Sequence, residues 1–132
     1  MADPKVDRSD RHPPPLDPLR RAIVEHPGDA QARRRLAWAL LAARALDEAL
    51  TVFRQAVRDF PDDVDLLYGQ ALAAKQAGSV DEADEAFLRV ARLAEAMTDP
   101  GRSEILHRLA MGHHNILRTG RWGLKREVWG GS

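Results

Sequence analysis

The sequence predicts an all-α helical repeat, an α-solenoid of about two full repeats with an N-terminal half-repeat and C-terminal capping helices. Three observations carry that expectation. Ala37, Ala39, Ala43, Asp47, Glu48, Ala49, Phe53 and Arg58 recur 34 residues later as Ala71, Ala73, Ala77, Asp81, Glu82, Ala83, Phe87 and Arg92. A fixed period in this range marks supersecondary units that stack to bury a shared core. The helix-ending residues Pro27-Gly28, Pro61 and Gly78 fall between the apolar stretches rather than within them. Finally, 132 residues of which 44% are hydrophobic suffice for one small domain or a short array, and leave no room for a second domain.

In chain order, residues 1–15 hold Pro4, Pro13, Pro14 and Pro15 among alternating charges and are expected to form a disordered tail. A half-repeat is expected over 16–28, with Asp17 as N-cap, Pro18 at the first helical position and an end at His26-Pro27-Gly28. Repeat 1 covers 29–61. Its helix A runs from Asp29 or Ala30 to Arg44, and its helix B from the N-cap Asp47 to about Phe60, closed by Pro61. Repeat 2 covers 62–97, with helix A from Asp62 or Asp63 to Ala77, a turn at Gly78-Ser79-Val80, and helix B from the N-cap Asp81 to about Ala96. Ala37, Ala49 and Ala56 leave room for close helix approach, and Phe53 fills the space between the two helices.

These residues resemble a known family. Leu36, Ala37, Leu40, Ala49, Phe53, Ala56 and Pro61 match the signature of the tetratricopeptide repeat (TPR), a helix-turn-helix unit. The second unit is degenerate: Ala71, Gly78, Ala83, Phe87 and Val90 fit, but Gln70 stands where Leu36 does and Glu95 where Pro61 does. Leu19, Ala22 and Pro27 precede Phe53, Ala56 and Pro61 by the same interval, so the resemblance covers residues 16–96. It implies a protein-binding module. No Ser/His/Asp ordering, glycine-rich phosphate loop or isolated carboxylate pair is recognisable, so neither catalysis nor a cofactor is expected. The family's clamp for chaperone C-terminal tails is not implied, because Arg34, Trp38 and Gly69 stand at the clamp's first Lys and two Asn positions.

The C-terminal 102–129 reads as a degenerate repeat or capping helices. A long helix is expected from Arg102 or Ser103 to Thr119, with Ser103 as N-cap, an apolar stripe of Ile105, Leu106, Leu109, Ile116 and Leu117, and Gly120 as its end. A short helix around Lys125–Trp129 follows, and 130–132 form a flexible end.

Composition narrows the function classes. Without cysteine there are no disulfides, thiolate metal sites or Cys nucleophile. The N-terminus MADPKVDRSDRHPPP has charges and prolines where a signal peptide needs an apolar core, and no window approaches about 18 uninterrupted apolar residues. A soluble, cytoplasmic protein is expected. Twenty bases balance twenty acids, yet residues 47–99 carry twelve acids against five bases and residues 101–132 six bases against two acids. An acidic middle with basic flanks argues against nucleic acid and suits a partner of mixed charge, or solvated helix faces alone.

His107, His113 and His114 do not make a metal site, because on one helix no two of them share the i, i+4 spacing that ligands need. The Asp-Glu pairs at 47/48 and 81/82 are explained as helix starts, where carboxylates favour the positive end of the dipole.

Binding has a better candidate. On helix A of repeat 1, Gln31, Arg34, Trp38 and Leu41 form a stripe away from the Leu36, Leu40 face, and Asp65, Tyr68, Leu72 and Lys75 are their repeat-2 counterparts. Together they suggest a concave groove for an extended peptide or a helix of a partner protein, with Trp38 and Tyr68 as anchors and Arg34 and Lys75 as carboxylate contacts. The alternative is that Trp38 packs on Leu19 and Ile23, and Tyr68 on Trp38. A second candidate interface consists of Arg118, Arg121, Trp122, Lys125, Arg126 and Trp129, through which the chain would act as a scaffold subunit or homo-oligomer.

Overall fold

The computed structural model describes residues 15–120, which form six α-helices and no strand. The tail expected before Pro15 and the helix and end expected after Gly120 lie outside the described residues. The helices are α1 (Leu16–Glu25), α2 (Ala30–Ala42), α3 (Leu46–Asp59), α4 (Val64–Ala77), α5 (Val80–Glu95) and α6 (Pro100–Thr119). Each packs chiefly on its neighbours in sequence, and α2 also touches α4, which is the arrangement of stacked helix pairs.

The core lies where the repeat places it. Ala37, Leu40, Ala49, Phe53 and Ala56 are completely buried in the first pair, and Ala71, Ala74, Ala83, Phe87 and Val90 in the second. The alanines let the backbones approach, and the two phenylalanines fill the gaps that remain. Phe53 also reaches the next pair, since a Cβ on Gly69 would lie 2.1 Å from its Cε1. Gly69 is therefore the socket for that ring.

The helix starts differ from expectation at four places. Asp17, Asp47 and Asp81 are not N-caps; they sit in the first turns of α1, α3 and α5, behind Pro15, Ala45 and Ser79. The carbonyls of Ala45 and Ser79 already accept the first intrahelical bonds, from Ala49 and Ala83 at 2.9 and 3.0 Å, so each helix begins before its acid. Ser103 is not an N-cap either. Asp99 caps α6 by accepting from the Gly101 and Arg102 amides, with Pro100 at the first position, and the Ser103 hydroxyl donates to the Ala94 carbonyl at 2.6 Å. Asp29 and Asp63 do cap α2 and α4 with their side chains.

The ends of α2, α4 and α6 follow one scheme, whereas α1, α3 and α5 end in residues of negative φ. Gly78 is left-handed (φ 88°) after α4 and Gly120 (φ 79°) after α6. Arg44, which stands 34 residues before Gly78, is left-handed as well, at φ 65°. At both turns the residue after it bonds back to a carbonyl five positions earlier: Ala45 to Leu40 and Ser79 to Ala74, each at 2.9 Å.

On α6 the inward face coincides with the expected stripe only in part. Ala110 and Gly112 are buried, and Met111 and Leu117 pack against the core, whereas Ile105 is 60% exposed. Small residues let α6 lie close on α5, and closeness of approach outweighed side-chain hydrophobicity in selecting the face.

Candidate functional site

Of the two expected anchors, Trp38 borders two depressions, whereas Tyr68 is packed on α6. Trp38 is partly buried and meets the Phe53 ring edge-on, with centroids 5.4 Å apart and planes at 85°. A depression of about 370 Å³ lies on one side, lined by Gln31, Arg34, Arg35, Trp38 and Asp65. Another of about 380 Å³ lies on the other side, lined by Leu19, Arg35, Trp38, Ala39 and Ala42. The indole thus packs through one edge on the core and borders two depressions.

The remaining groove residues have partners inside the fold. Leu41 is 7% exposed and belongs to the core, so it offers no surface. Arg34 pairs with Asp63 and also donates to the Gln31 side chain, at 2.9 and 3.1 Å. Asp65 meets Arg102 of α6 at 3.2 Å. Leu72 is partly buried against the core. Tyr68 packs not on Trp38 but on Phe87 and on His113, and Lys75 lies 3.0 Å from His113 Nδ1. In short, α6 engages most of the repeat-2 half of the expected groove, because it lies beside the α4–α5 pair as the next helix in the stack.

His113 is the centre of that closure. Its ring stacks on Phe87 at 4.6 Å with planes 9° apart, and its Nε2 lies 3.4 Å from the Tyr68 hydroxyl. Burial and the neighbouring Lys75 ammonium hold its pKa below the ordinary histidine value. Burial also raises the Tyr68 phenol. The other two histidines on α6 turn elsewhere, His114 to Asp84 and His107 to Glu95 at 3.3 Å. Among the described residues no group of three His, Cys, Asp or Glu side chains could hold a metal ion.

Two features escaped the sequence reading. Arg35 is exposed, lines both depressions, and has no hydrogen-bond or ion-pair partner among the described residues. Its signal was the contrast with Gly69, its counterpart in the second unit. The other feature is a repeated ion pair. Arg20 holds Glu48 through two bonds of 2.9 and 2.8 Å, and Arg54 holds Glu82 through two of 2.8 and 2.6 Å, with both partners displaced by one period. Hydrogen bonding from each arginine lowers the pKa of its glutamate. Glu48 and Glu82 therefore link successive B helices and are more than helix-start acids. Of the second candidate interface, only Arg118 is described; it is exposed and 3.6 Å from Asp84. Arg121, Trp122, Lys125, Arg126 and Trp129 lie outside the described residues.

A family model for the tetratricopeptide repeat matches residues 18–62 and again 46–100. The chain belongs to the tetratricopeptide repeat family. Comparison with curated proteins and with solved structures gave no match. TPR repeats generally mediate protein–protein interactions and are typically non-catalytic. No helix among the described residues is long and apolar enough to cross a membrane.

Proposed function

We propose that this TPR protein is a non-catalytic adaptor that holds a short extended peptide of a partner protein in the groove between α2 and α4. The observation that carries the reading is Arg35, an exposed cation with no partner among the described residues, at the rim of a depression walled by Trp38. A peptide with an apolar side chain against the indole and a carboxylate on the guanidinium matches this chemistry. Arg34 stands behind it, already oriented by Asp63 and Gln31. The groove is shorter than the stripe on the helices suggested, since Tyr68 and Lys75 are engaged with His113, and this favours a ligand of a few residues over a long one.

The test is capture from native lysate followed by measurement with purified partner. Gln31→Trp, which fills the depression from an exposed position, and Arg35→Glu, which reverses its charge, should each weaken binding by about tenfold or more, about 1.4 kcal/mol. Their melting curves should match the wild type. Full binding by both folded variants would remove the groove from consideration.

A further inference from the structure

Among the described residues, the N-terminal end of the array leaves a helix-sized site open. At the internal junction, α2 lies against Phe53 of α3 and the adjoining face of α4, where Gly69 receives the Phe53 ring and Trp38 closes on its edge. One period earlier, Phe53, Gly69, Ala73 and Gln76 become Leu19, Arg35, Ala39 and Ala42. These four residues, with Trp38, line the depression of about 380 Å³ between α1 and α2. The position that corresponds to Trp38 itself is Pro4.

The burial pattern of α1 points the same way. Leu50, Phe53, Ala56 and Val57 of α3 are all buried, at 8% exposure or less, because α2 and α4 cover them. Their counterparts Leu16, Leu19, Ala22 and Ile23 keep the same helical spacing, yet no residue of α1 is buried. Among the described residues, this amphipathic face with the pattern of an internal helix packs chiefly on one neighbour, α2.

The charge on the depression selects the occupant. Arg20, Arg33 and Arg34 are paired with Glu48, Asp59 and Asp63. Arg35, the charged residue in the lining, has no partner among the described residues and stands on the rim where the internal junction has a glycine. The chain's own basic segment 121–132, with three bases and one acid, has the wrong sign. We infer that the α1–α2 depression docks an acidic amphipathic helix of another protein, which takes the place of the missing helix A and sets a large apolar side chain against Leu19, Ala39 and Ala42. The site adjoins the peptide groove and shares Arg35 and Trp38 with it, but does not depend on that groove being used.

The probe is a labelled peptide of residues 29–45, the internal helix that fills this role one repeat later, carrying Arg33→Glu, Arg34→Glu, Arg35→Glu and Arg44→Glu. Titrated into the full-length protein, it should bind about tenfold or more tightly than the unaltered basic peptide. It should also shift the amide resonances of Leu19, Ala39 and Ala42. Ala42→Glu, at an exposed position that lines only this depression, should weaken it by about tenfold or more, whereas Gln31→Trp in the neighbouring groove should leave it unchanged. Ala42→Lys supplies similar bulk with the opposite charge and should weaken it less, so the inference stays testable if one variant folds poorly. Equal affinity for acidic and basic peptides, no binding, or insensitivity to Ala42→Glu would overturn it. So would a concentration-dependent dimer abolished by Ala42→Glu, which would make a second copy the occupant, or binding that appears only after deletion of residues 1–14, which would make that segment the occupant.

Discussion

Gly69 shows how one residue decides a contact that a propensity argument misjudges. Inside an exposed helix, replacing glycine by alanine is worth roughly 1 kcal/mol in favour of the helix. Here the added Cβ would lie 2.1 Å from Cε1 and 2.3 Å from Cζ of Phe53, a ring with no accessible surface and no room to retreat. Overpacking of this kind costs roughly 1–3 kcal/mol, so the clash outweighs the propensity gain. Gly69→Ala should therefore lower the urea midpoint, and a raised midpoint would mean that Phe53 does not occupy the socket. The same position explains why Arg35 went unnoticed. Arg35 lies off the stripe of α2 and matters because its repeat counterpart has no side chain at all. Leu41 failed for the converse reason, since a face that looks outward on an isolated helix is covered once its neighbours are in place.

The turns that close α2 and α4 share one geometry, whereas helix starts vary along the chain. Where α2 closes, Arg44 adopts the left-handed conformation that Gly78 adopts after α4, and for a residue with a Cβ that region costs roughly 1–2 kcal/mol. Its exposed bond to Gln76, at 2.9 Å, and glycine's greater freedom in the unfolded chain offset part of that cost. Arg44→Gly is expected to stabilise the protein by about 0.5–1 kcal/mol, measured by chemical denaturation, while Arg44→Ala brings no gain. Helix starts were harder to read. An aspartate before an apolar run is a good N-cap in general, and Asp29 and Asp63 behave so. Asp47 and Asp81 follow turns that already supply the capping carbonyl two residues earlier, so they fall inside the helix. Glu48 and Glu82 gain a different role there, holding the arginine of the preceding B helix. That role was visible in principle, because Arg20 and Arg54 are one period apart, but only stacking brings an arginine and a glutamate 28 positions apart together.

Across the molecule, α6 joins the array through His113, and this makes stability sensitive to pH. The folded-state pKa of His113 is lowered, first by burial and then by Lys75, so the unfolded chain binds the proton more readily. The contribution is fully present above the unfolded value of about 6.5 and is lost as pH falls through the lower folded value. Melting temperature should decline over that window in the wild type. In His113→Phe, which keeps an aromatic ring on Phe87 but cannot charge, the decline should be smaller; equal slopes would disprove the assignment. Glu48 and Glu82 act in a separate, more acidic window, since their lowered pKa values give stability that is present above about 4.5 and lost as pH falls through the folded values. The sequence by itself determined the architecture: the 34-residue period, the alanine and phenylalanine positions and the breakers Pro61 and Gly78 each state a local preference, and all of them agree. Tertiary structure alone decided which parts of the surface remain open. Whether Trp38, Tyr68, Leu41, Lys75 or Arg35 is available depends on neighbours contributed by other helices, above all α6, and helical periodicity reports only the direction a side chain takes from its own axis.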